Sequence, residues 1–123
     1  MREDLQIRTK KFALSTIKLY QSLPNSEEAR IPGKQFLRCA TSVEADYRSS
    51  LRAMSTAEFI AKLGIVVEEA DESSFWMELL IESEIVNQKK GEELLKESKE
   101  LLKIFSASRK TAKENQKLTK SLN

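Results

Sequence analysis

Apolar positions recur at helical spacing in four separate stretches of the chain. In the first, Leu5, Thr9, Phe12, Thr16, Leu19 and Leu23 alternate steps of four and three, the seam of a packed helix. The pattern predicts a helix over residues 3–22, broken by Pro24, Asn25 and Ser26. An acidic loop up to Pro32 and a second helix over 33–53 are expected to follow, with Phe36, Ala40, Val43, Tyr47 and Leu51 on its apolar side. Ser55-Thr56-Ala57-Glu58 is a capping box, in which the serine hydroxyl accepts from the Glu58 N–H while the glutamate reaches back. It opens a third helix over 55–85. Gly64 sits inside that helix at a cost of about 1 kcal/mol relative to alanine, tolerable where another backbone approaches closely. After a polar turn at 87–91, the fourth helix, over 91–117, carries Leu94, Ser98, Leu101, Phe105, Ser108 and Ala112 on one stripe. It is expected to fray after about Lys113 into a basic tail. Short turns force antiparallel neighbours, so the prediction is an all-α, antiparallel up-down-up-down four-helix bundle, a single domain over 1–123.

The third helix has more apolar surface than one bundle can hide. Phe59, Leu63, Val66, Val67, Ala70, Met77 and Ile81 share a face, and Phe75, Trp76, Leu79 and Leu80 lie on the other side. A helix apolar all round is normally buried all round. Phe75, Trp76, Leu79 and Leu80 are therefore expected to form an oligomer interface; the bland reading is a thick core with Trp76 lying along it.

Composition supports helices and removes most chemistry. Two prolines, three glycines and 33% charged residues suit long helices with few turns. The chain has no histidine, which eliminates Ser-His and Cys-His nucleophile pairs. It also removes the Glu-x-x-His motif by which bundles hold paired metals. Glu68, Glu69, Asp71 and Glu72 read instead as a solvated or salt-bridged acidic face. There is no glycine-rich phosphate loop. The expectations are no catalytic residues, no metal and no cofactor: not an enzyme. Cys39 is the only cysteine, so no internal disulfide forms and a reducing compartment fits; beside the apolar face it reads as a small hydrophobe. No apolar stretch follows the N-terminus as in a signal peptide, and the longest apolar run, 63–67, is far too short for a membrane span. A cytoplasmic protein without membrane contact is expected.

The net charge of +2 is nearly neutral, but charge is unevenly placed. Residues 55–84 are acidic apart from Lys62, whereas residues 103–123 are basic apart from Glu114. On the second helix, Lys34, Arg38, Arg48 and Arg52 fall within an arc of roughly 80° at 100° per residue, opposite the apolar side. An amphipathic helix needs a polar face, but not a basic one along its whole length. The strip points to an anionic partner; internal matching with the acidic helix is the bland alternative.

Three blocks carry a family resemblance: Gly-Lys-Gln-Phe-Leu-Arg-Cys-Ala-Thr-Ser-Val-Glu-Ala-Asp-Tyr-Arg from Gly33, Ala-Glu-Phe-Ile-Ala-Lys-Leu-Gly-Ile-Val from Ala57, and Glu-Ala-Asp-Glu-Ser-Ser-Phe-Trp-Met-Glu-Leu-Leu from Glu69. In sequence and spacing they resemble the bacterial four-helix-bundle family encoded in intervening sequences of 23S rRNA genes. That family includes the accessory variability protein of diversity-generating retroelements, which assists a reverse transcriptase and binds nucleic acid through basic surface. The resemblance implies a homopentameric barrel of bundles, and Arg38 and Arg48 match basic positions flanking the Thr-Ser-Val block. Where relatives tend to have a small residue and then asparagine, this chain has Glu44 and Asp46, at the flanks of the strip. Two roles follow. One is an oligomer that binds RNA or DNA through Lys34, Arg38, Arg48 and Arg52. The other is a scaffold or adaptor for a protein partner, such as a reverse transcriptase, with no nucleic-acid contact.

Overall fold

The computed structural model describes residues 2–122; Met1 and Asn123, the outer limits of the domain expected from sequence, lie outside the described residues. The elements are α1 (Arg2–Gln21), α2 (Glu27–Ser50), α3 (Thr56–Glu82) and α4 (Gln88–Leu122), and no strand occurs among the described residues. α3 packs extensively against both α2 and α4, while α1 packs against α2 and more loosely against α4. The result is a four-helix bundle in which α1 and α3 occupy opposite corners.

The core follows the apolar seams. Thr9, Phe12, Thr16 and Leu19 of α1 are buried, with Leu5 and Leu23 half-buried at the ends. The threonines are tolerated in the core because their hydroxyls donate to carbonyls one turn back, Thr9 to Leu5 at 2.8 Å and Thr16 to Phe12 at 2.8 Å. Phe36, Val43 and Tyr47 meet Leu63, Val66, Met77 and Leu80, and Leu101 and Phe105 close the core from α4. The Tyr47 and Phe105 rings lie 4.9 Å apart. Between α3 and α4, Ser74 and Ser98 share a buried hydroxyl hydrogen bond of 2.8 Å.

Element ends differ from the sequence pattern for local reasons. α2 starts at Glu27, six residues earlier than expected, and contains Pro32. Proline forfeits the N–H that would bond to the Glu28 carbonyl, and its ring crowds that carbonyl, a local cost that the helix bears. Glu27 and Glu28 suit the positive helix start, and Ala29 is fully buried, anchoring the first turn. At the start of α3, Ser55 Oγ accepts from the Glu58 N–H at 3.1 Å as the capping box requires, but the Glu58 carboxylate accepts from the Met54 N–H, at 2.8 Å. α4 begins three residues early because the Asn87 side chain caps it, accepting from Lys89 N–H at 3.0 Å. It also continues to Leu122, as helix where a frayed tail was expected. Gly64 admits a side chain rather than a backbone: a Cβ there would meet Arg109 Nε at 3.1 Å.

Candidate nucleic-acid interface

The basic strip on α2 is not continuous. Lys34, Arg38 and Arg48 project from the helix and are exposed, but α2 ends at Ser50, so Arg52 sits in the following turn rather than on the helix. Arg38, at the centre, is engaged within its own chain. Its Nη2 donates to Glu72 Oε2 at 3.1 Å and its Nη1 to Glu69 Oε2 at 3.5 Å, both across the groove on α3. Nη2 also lies 3.2 Å from Cys39 Sγ. The acidic face of α3 thus neutralises the middle of the strip. What is left splits into Lys34 at one end and Arg48 with Arg52 at the other; among the described residues none of these three forms a salt bridge.

The same contacts gather Cys39, Glu69 and Glu72, whose ligand-capable atoms lie within 4.8 Å of one another. The arrangement is filled by its own cation, the Arg38 guanidinium. Burial, reinforced by the hydrogen bond to Glu72, pushes the Cys39 thiol up to about 12, and Cys39 Sγ donates to Glu72 Oε2 at 3.3 Å. Burial also raises Glu69, against the pull of Arg38. A metal ion would have to displace the arginine and deprotonate a strongly protonated thiol. The group behaves as a hydrogen-bonded ion pair joining α2 to α3.

The flanking acids take different surroundings. Asp46 is half-buried, and desolvation raises its carboxyl above the usual range despite nearby Lys62. Lys62 itself donates to Ser49 Oγ at 2.6 Å and pairs with Glu58 at 3.7 Å. Glu44 is half-buried.

Beyond Arg48 and Arg52 the bundle has an open end. A cavity of about 630 Å³ lies there, lined by Ser50 and Leu51 of the α2 terminus, Met54 and Phe59 at the start of α3, and Phe105 and Ser108 of α4. α4 runs past this end. At 1.5 Å per residue its 35 residues extend about 52 Å, against about 40 Å for the 27 residues of α3. Lys110 and Lys113 are exposed beside the start of α3, and Lys117 and Lys120 are exposed along the projecting part, as are Leu118 and Leu122. The only acid there is Glu114. α2 ends and α4 projects at the same end of the bundle, so Arg48, Arg52 and the exposed lysines of the projecting helix lie toward that end, although α2 and α4 do not pack extensively against each other. The sequence showed the basic composition of this segment, but nothing in it showed that the segment stays helical to Leu122.

Two further arginines serve the scaffold. Arg8 of α1 holds Glu97 of α4 through paired bonds of 2.7 Å and also reaches Glu100. Arg109 uses the space at Gly64 to donate Nε–H to the Ile60 carbonyl at 3.1 Å. Both bonds span long sequence separations, and no local pattern marks them.

Of the four residues expected at an oligomer interface, Phe75 and Leu79 are exposed, at 51% and 42%. Trp76 is half-buried, with its ring 4.9 Å from that of Phe75. Leu80 is a correction. It is fully buried in the chain's own core and offers no surface to another subunit, because at 100° per residue it turns back toward Met77.

Comparison with known proteins places the fold. The family model described as 23S rRNA-intervening sequence protein matches residues 3–107. The chain belongs to this family. A solved member of the S23 ribosomal protein family, a protein of unknown function from Bacteroides thetaiotaomicron VPI-5482, is 33% identical. It superposes with a TM-score of 0.82 over 89% of this chain and 99% of its own. No curated protein matches the chain. The family match ends at residue 107, so the projecting part of α4 lies outside the region shared with the family model. No helix among the described residues is long and apolar enough to cross a membrane.

Proposed function

We propose that this protein is a non-enzymatic, self-associating four-helix bundle that binds RNA or DNA through the basic end formed by Arg48, Arg52 and the α4 extension. The observation that carries this reading is the extension itself. It is a helix that leaves the bundle, with Lys113, Lys117 and Lys120 exposed and, among the described residues, without salt-bridge partners. A charged helix that buries little apolar surface gains little from folding against its own chain. A phosphate backbone supplies the counter-charge it lacks. Arg38 drops out of the surface, being engaged with Glu69 and Glu72, and Lys34 stands apart from it.

Cross-helix pairs of opposed numbering, Arg38 with Glu72, Ser49 with Lys62, Ser74 with Ser98 and Ile60 with Arg109, support an antiparallel arrangement of the bundle, and a reducing, cytoplasmic location is proposed with it. The family resemblance supports a ring of five, in which a weak basic site repeated around the ring gains by multivalency. The test is fluorescence anisotropy with short RNA and DNA oligonucleotides. Binding by the wild type should weaken steeply as salt rises, and K113E/K117E/K120E should weaken it at least about tenfold. Loss of binding by that variant would support the basic end; equal binding by variant and wild type, or none by the wild type at low salt, would refute it. The adaptor role, with the same surface docking an acidic protein, corresponds to the last outcome.

A further inference from the structure

The outward face of α1, like that of α3, is apolar. Ile7, Leu14 and Ile17 are exposed at 57%, 53% and 40%. At 100° per residue they share an arc of roughly 120° with the exposed Lys10, Lys11 and Lys18, on the side away from Thr9 and Phe12. On α3, Ile65, Phe75 and Leu79 are exposed at 46%, 51% and 42%. They share an arc of the same width with Glu68, Asp71 and Glu82. Each stripe combines three large apolar side chains with three exposed charges, the lysines Lys10, Lys11 and Lys18 on α1 and the acids Glu68, Asp71 and Glu82 on α3. Because α1 and α3 occupy opposite corners of the bundle, the two stripes face in opposite directions.

From this geometry we infer that the occupant of the α1 stripe is the α3 stripe of a second copy of the same chain. The contact is heterologous, head to tail, so each subunit uses one face toward each neighbour. A two-fold dimer built on either stripe alone would set lysines against lysines or carboxylates against carboxylates while burying the apolar residues. The heterologous pairing buries both apolar stripes and matches charge around them. It also leaves Arg48, Arg52 and the α4 extension at the end of each bundle, outside the contact. The inference deepens the self-association proposed above by naming the surfaces that meet.

The test uses two variants of the full chain, each altered only at exposed positions, with circular dichroism to verify folding: L14E/K18E on the α1 stripe and F75E/L79E on the α3 stripe. Light scattering coupled to gel filtration should report a multi-subunit wild type and a single-chain mass for each variant. An equimolar mixture of the two variants should give a two-chain species and nothing larger, because only one intact α1 stripe and one intact α3 stripe remain to pair. A variant that stays oligomeric, or a mixture that stays monomeric, would overturn the pairing while leaving self-association intact. A monomeric wild type would overturn both. If either variant fails to fold, the milder L14S/K18S and F75S/L79S, which create no new complementary charge, replace the pair with the same expected outcomes.

Discussion

Cys39 is fully enclosed, with its thiol donating to Glu72 and the Arg38 guanidinium alongside. Two consequences can be measured. At neutral pH the native thiol should resist a disulfide reagent and react stoichiometrically only when the chain is unfolded; rapid labelling of the folded protein would contradict the enclosure. The second consequence is a pH dependence. The folded thiol is raised from an ordinary 9.0 to about 12. Between those values the native state keeps a proton that the unfolded chain has lost. Stability should therefore fall as pH rises through that window. Comparing urea midpoints of the wild type and Cys39→Ala from pH 8 upward isolates the effect, since other alkaline titrations are common to both. The wild type should lose its midpoint faster; parallel curves would show that the thiol is not shifted. Sequence alone placed Cys39 as a small hydrophobe, which its burial bears out. It gave no sign of the partners, because Glu69 and Glu72 come from another helix.

At the scale of elements, α4 is two structures in one. Its first part supplies Ser98, Leu101 and Phe105 to the core, and its last turns carry Leu118 and Leu122 exposed at 63% and 87%. Helical stability in proteins comes mostly from packing an apolar face, so these last turns contribute little to the bundle. Removing residues 116–123 should leave the melting temperature within about 4 °C of the full chain, as expected for surface changes of about 0.5 kcal/mol. A drop of about 10 °C or more would mean that the segment packs onto a bundle, its own or a neighbour's. The apolar stripe that ends near Ala112 marked where the packed part of α4 stops, and that much was legible. The continuation of the helix was not, because exposed lysine-rich sequence has adequate helix propensity but no periodic signal. α2 shows the converse. Pro32 reads locally as a boundary, and the burial of Ala29 overrides it.

For the whole molecule, the two proposals are linked through valency. If basic ends repeat around a head-to-tail assembly, then L14E/K18E should weaken nucleic-acid binding although it touches none of the proposed contact residues. Its affinity should fall by about tenfold or more and match that of the monomer, reflecting the lost effective concentration of neighbouring sites. Unchanged affinity in a demonstrably monomeric variant would separate assembly from binding. Sequence by itself determined the helical class, the seams of all four helices and the surplus of apolar surface on α3, because each depends on periodicity within one continuous segment. Tertiary structure decided which charges remain available. Arg38 and Arg48 lie on the same basic strip of α2, yet only Arg38 lies within reach of Glu69 and Glu72. Leu80 and Leu79 are neighbours, yet one closes the core and the other faces outward. The stripe on α1 matters only because the fold sets it diagonally opposite α3. Partner choice across helices depends on packing and on distance in space, and the one-dimensional pattern carries neither.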